Sequence, residues 1–210
     1  IISAIFATMC LVAFQAPAQS ADLSFSVGLA GNQGGYHARG TEFIAQTADQ
    51  SKAEVTSEAG VFEDNHTSVF LEVNIGDNMT VGAELAVDDI STPTNTNAKV
   101  DRTGTSAAAL RTNTAKATFS DKTTYYIQAR MLGGLYTKIM YHNVNVVTEE
   151  SLATGGAYGD TTLDGYTIAL GYNMDLDDGM FVRAEAAYMD IDGATLTNTN
   201  DSTKSVSADG

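Results

Sequence analysis

Two prolines, one cysteine and no tryptophan occur in 210 residues, and each shortage removes a class of structure. With so little proline, long backbone stretches keep the N–H groups that a hydrogen-bonded ladder requires. The single cysteine, Cys10, has no partner within the chain and can form no internal disulfide. Basic residues are also few, 11 Lys and Arg against 26 Asp and Glu, for a formal charge of −15. They are scattered, whereas phosphate binding needs them clustered, so nucleic acid is excluded as a partner. Charged residues make up only 18% of a chain that has the length of one domain. Leu, Lys and Glu are too sparse for packed helices. What is present is 19 Gly, 9 Tyr and 8 Phe, a balance that suits many strands.

The apolar run Ile1 to Phe14 carries no charge, and Gln15-Ala16-Pro17-Ala18-Gln19-Ser20 follows with small residues at cleavage spacing. It is shorter than the roughly 20 residues of a spanning helix, and Pro17 ends it. The expectation is a signal peptide over residues 1–20, cut after Ala18 or Ser20, ahead of a single domain over residues 21–210. Cys10 lies inside the signal, which leaves the exported chain without cysteine. The missing initiator Met and basic leader imply that the sequence starts inside a longer reading frame.

Beyond Ser20 the pattern is a two-residue alternation, which puts successive side chains on opposite faces of a strand. Leu23, Phe25, Val27 and Leu29 alternate with small or polar residues. Val69, Leu71, Val73 and Ile75 lead through Gly76-Asp77-Asn78 into Met79, Val81, Ala83, Leu85 and Val87. Tyr125, Ile127, Ala129 and Met131 turn at Gly133-Gly134 into Leu135, Thr137, Ile139 and Tyr141. Tyr166, Ile168, Leu170 and Tyr172 turn through Asp175 to Gly179 into Met180, Val182, Ala184, Ala186 and Tyr188. Seven strands are counted. Their connections alternate as well: three short turns against the long polar stretches Gly31 to Thr67, Asp88 to Asp121 and Val147 to Thr162. Short on one side and long on the other is the arrangement of an outer-membrane barrel, with the long segments external.

The aromatic residues agree with that orientation. Tyr125 and Tyr166 begin inward-running strands, and Tyr141 and Tyr188 end outward-running ones, which sets all four at the external rim as an interfacial girdle. Tyr172 is the candidate for a ring at the other boundary. The opposite faces hold Glu72, Glu84, Arg130, Lys138, Arg183 and Glu185. Facing lipid, a basic residue would cost about 2–4 kcal/mol at the midplane, so these six are expected in the lumen as a charge network. A lumen of about eight strands is just wide enough for side chains to fill. The network therefore reads as structural, and a gate or ion path is the alternative.

His37, His66 and His142 stand in no nucleophile motif, and no catalytic residue is assigned. Asp88-Asp89, the Asp175 to Gly179 stretch and Asp190 to Gly193 lack the ligand series of a calcium loop, so neither metal nor cofactor is expected.

Through the Leu23 to Ala30 segment and the Val69 to Val87 and Tyr166 to Tyr188 hairpins, the chain resembles the small outer-membrane β-barrel family of OmpA-like, OmpX-like and opacity-type surface proteins. That resemblance implies insertion by the outer-membrane assembly machinery and a role in membrane integrity, adhesion or limited permeation. Members end in a strand with a terminal aromatic residue, whereas Thr195 to Gly210 is polar.

The expected fold is an all-β, antiparallel, up-and-down transmembrane barrel of eight strands with the last missing. The expected protein is a non-catalytic, structural or surface-exposed component of the Gram-negative outer membrane. A narrow porin-like channel is the alternative; an outer-membrane enzyme or a soluble lipocalin-like barrel comes third. Lipid, lipopolysaccharide and a ligand at the long loops are the expected partners.

Overall fold

The computed structural model describes residues 2–17, 23–46, 53–101, 109–152 and 157–209. Twelve strands form one sheet among them. In chain order they are β1 (Ile2–Pro17), β2 (Leu23–Ile44), β3 (Glu54–Ile75), β4 (Met79–Ala86), β5 (Ile90–Ser91), β6 (Asn95–Asp101) and β7 (Ala109–Arg130), then β8 (Leu135–Ser151), β9 (Thr161–Asp175), β10 (Met180–Ile191), β11 (Ala194–Thr197) and β12 (Lys204–Asp209). Every pairing is antiparallel, and β2-β3-β4-β7-β8-β9-β10 follow one another as neighbours, the up-and-down arrangement the alternation predicts.

The seven strands read from the sequence are the cores of these seven. Tight turns join them at one end: Gly76 at φ +58, and single 3-10 turns at Leu132–Gly134 and Asp177–Gly179, where Gly133 and Gly179 also take positive φ. Glycine reaches that region without the Cβ clash other residues meet.

Three expectations change. First, β1 is bonded to β10 along one edge and to β2 along the other, so the ladder returns to its start through eight strands. Seven strands with an eighth absent had been expected; Ile2–Pro17, read as an export signal, holds the eighth place. The backbone groups of β2 and β10 would otherwise face outward unpaired, and an uncharged extended segment satisfies them.

Second, the stretches expected as long loops are largely strand. Among its described residues, Gly31 to Thr67 contains no separate strand pair. It continues β2 and β3 as one ladder, from Leu23 opposite Ile75 to Ile44 opposite Glu54. At 22 residues each, these strands are twice the roughly 9–11 needed to cross a bilayer. Third, the polar tail folds back, with β12 pairing the far end of β2 and β11 pairing β12.

The reason the strands outlast the apolar belt is a change of polarity along the barrel. Near the short turns, outward positions are apolar and inward ones polar. On β8, Ile139 and Tyr141 point out while Lys138 and His142 are buried inside; two residues on, Asn143 and Asn145 point out while Val144 and Val146 are buried. On β10 the outward row Ala184, Ala186, Tyr188 gives way to Asp190, and the inward row Arg183, Glu185 gives way to Met189, Ile191. On β7 the inversion uses a bulge between Ser120 and Thr123, with Asp121 at φ +52, which turns Phe119 inward. The far half thus has the apolar interior of a soluble barrel. Tyr36, Ile90, Val144, Val146, Leu163, Met189 and Ile191 form its core, and the Phe62 ring stacks on Tyr36 at 5.0 Å.

Candidate functional site

The lumen between the short turns and the tyrosine row is the candidate site. Period-two alternation delivers its side chains, one inward residue from every second position on each strand. Glu72 on β3 and Arg183 on β10 form a two-pronged ion pair across it, with Arg183 Nη2 2.9 Å from Glu72 Oε2 and Nη1 on Oε1. Both are buried. A planar guanidinium matches a carboxylate in this fork geometry. Tyr126 Oη donates to Glu72 Oε1 at 2.8 Å, and Arg183 Nε donates to Asn173 Oδ1 at 2.8 Å. The second pair, Lys138 Nζ to Glu185 Oε2 at 2.7 Å, is also buried, and Tyr136 Oη donates to the same oxygen at 2.8 Å. Lys138 Nζ further lies 4.6 Å from the centre of the Tyr126 ring. Each of these four charges thus has a counter-charge, and Glu72, Arg183 and Glu185 have further hydrogen bonds while Lys138 lies against tyrosine rings, the condition under which burial is tolerated.

Glu84 also faces inward, hydrogen-bonded by Ser68 and by Asn32 Nδ2 at 3.5 Å. Arg130 is inward by position at the short-turn end of β7, opposite Tyr136, and forms no ion pair among the described residues. Of the six charges singled out, four are brought together as two pairs. The other two are not part of them.

Sequence reasoning missed the partners. Tyr126 and Tyr136 lie beside Tyr125 and Leu135 and differ from them only in the parity of their position. Each ring lies over a glycine on the next strand, Tyr126 over Gly82 and Tyr136 over Gly171, where a Cβ would be driven into the ring. An aromatic opposite a glycine at an inward position was the available signal. Lys122 was missed as well: it faces inward, with Nζ 3.4 Å from His66 Nε2. His142 is held between Thr124 Oγ1 at 2.8 Å and Thr167 Oγ1 at 2.7 Å, and His37 points outward and is exposed. No group of three or more metal-ligating side chains occurs among the described residues.

Tyr125, Tyr141 and Tyr166 stand side by side in register on β7, β8 and β9, facing outward, with the Tyr141 and Tyr166 rings 5.5 Å apart. Tyr188 lies opposite Ile168, one pleat closer to the short turns, and Tyr172 lies opposite Leu135 at the short-turn end. Just beyond the row, Asp164 Oδ1 accepts from Tyr141 Oη at 2.6 Å and Asn143 Nδ2 at 2.8 Å. These hydrogen bonds, Tyr141's foremost, hold the Asp164 carboxyl below its ordinary pKa.

An apolar outward belt, an aromatic row at its edge, and a charged interior are the three properties of a transmembrane β-barrel. The sequence matches the outer membrane protein beta-barrel domain family over residues 5–209, and the chain belongs to that family. It is an outer-membrane β-barrel protein. A comparison with curated proteins finds no match.

Proposed function

We propose that this barrel is a structural, surface-exposed protein of the Gram-negative outer membrane whose lumen is blocked by its own side chains, and that it is not catalytic. The observation that carries the reading is the filling of the lumen by the Glu72–Arg183 and Glu185–Lys138 pairs, every member of which is buried. The apolar core above them adds a second obstruction. The long-strand end faces the cell exterior and meets lipopolysaccharide and external ligands, the insertion machinery assembles the barrel, and Ile1 to Ser20 directs export and is removed. The strand edges of β2 and β10 then require another strand between them. The intact mass of the exported chain tests the cleavage, with a start at Gln19 or Ala21 expected.

Conductance tests the main reading. The protein reconstituted in planar bilayers should show no steady open channel. Large stable openings would instead establish a narrow porin-like channel, with Arg130, Lys138 and Glu84 as the residues that set its selectivity.

A further inference from the structure

Beyond the tyrosine row the sheet has a break. Within the belt, β3 pairs β4 and β4 pairs β7. Past Ala86, β7 takes β5 and then β6 as partners, while β3 continues to Glu54 bonded to β2 alone. Among the described residues, no ladder covers the second edge of β3 between Glu54 and Thr67. The Val87 N–H still donates to the Thr67 carbonyl at 2.9 Å, and beyond that bond side chains hold the base of the break. Asp88 Oδ2 accepts from the Thr67 N–H at 3.1 Å, and Asp64 Oδ2 accepts from the Ser91 N–H at 3.0 Å. Further out, Asn95 Nδ2 donates to Glu58 Oε2 at 2.8 Å.

The uncovered part of β3 has the composition of a strand that expects company. Val55 and Val61 are 62% and 74% exposed, with Ala59 between them on the same face. Glu54, Glu58, Glu63 and Asp64 supply four acids, and no Lys or Arg lies between residues 54 and 64. A second copy of this strand would set acid near acid along the shared edge, which opposes self-pairing. The charge instead complements a basic partner.

We propose that the β3 edge from Glu54 to Val61 docks an extended segment of a partner protein, apolar at alternate positions and bearing Lys or Arg between them, added to the sheet as a further strand. Backbone hydrogen bonds would supply the affinity and the acids the selectivity, as in strand addition generally. The proposal rests on the far end being the exposed one, but its test uses purified protein and is independent of orientation in the cell.

The probe is a fluorescent eight-residue peptide alternating valine or threonine with lysine, titrated against the full chain folded in detergent micelles and read by anisotropy. Saturable binding is expected, with slowed amide exchange confined to residues 54–61. Replacing the peptide lysines by glutamate should weaken binding about tenfold or more. Methylating alternate peptide nitrogens on the pairing edge should abolish it, and the double variant Glu54→Lys, Glu58→Lys should reverse the preference between the two peptides. Absence of saturable binding would overturn the proposal. So would equal binding of the methylated peptide, which would reveal attraction by surface charge alone.

Discussion

Glu72 and Arg183 are 111 residues apart in the chain and meet as a forked ion pair inside the barrel. Their value depends on both being present. Glu72→Gln leaves the guanidinium buried without its carboxylate and should destabilise the folded barrel by about 3–5 kcal/mol. Glu72→Leu combined with Arg183→Met should recover most of that loss, because neither charge then remains to be desolvated. Urea midpoints of the lipid-embedded protein, followed by the gel shift between unboiled and boiled samples, measure both. A single variant as stable as the parent would remove the pair from the account of stability.

Gly171 has no room for a side chain, because the Tyr136 ring occupies the place of its Cβ while the hydroxyl reaches Glu185. Gly171→Ala should cost about 1–3 kcal/mol, the usual penalty for overpacking a filled site. Gly35→Ala is the comparison, since a Cβ there meets nothing within 4 Å. Equal unfolding midpoints for the two variants would contradict the ring-over-glycine packing.

Asp164 should titrate below an ordinary aspartate, because its ionised form accepts hydrogen bonds from Tyr141 and Asn143. A depressed folded-state pKa contributes stability that is fully present above the unfolded value, near 3.9, and is lost as pH falls through the folded one. Tyr141→Phe removes the larger cause and should raise the Asp164 pKa toward the ordinary value. Carbon-detected titration of that carboxyl by NMR checks the direction, and an unchanged or lowered value would show that Tyr141 does not hold it.

Orientation is tested by cysteines at the two ends. In intact cells an impermeant thiol reagent should label Asn95→Cys, in the long-strand half, and spare Asn78→Cys, in the turn between β3 and β4. The reverse result would mean that the barrel is inserted the other way round.

The sequence alone determined the strands of the belt and their turns. Residues such as Val69 to Ile75 or Tyr166 to Tyr172 alternate in polarity, and a pleated strand has only two faces. It also carried, unread, the inversion of the far half: after Ile139 and Tyr141 the apolar positions move to Val144 and Val146, which shifts them to the other face. Taking Gly31 to Thr67 for loop overlooked that Thr, Val and Phe at low average hydropathy still make strand when a partner lies in register. Tertiary structure decided what local pattern cannot express. Glu72 has no preference for Arg183 over Arg130 until closure sets β3 across from β10, and Tyr126 is distinguished from Tyr125 only by what each face meets. The apolar segment Ile2–Pro17 has no alternation to assign it a face; its place between β2 and β10 follows from the unpaired backbone groups on those two edges, a demand that arises only once the other strands are assembled.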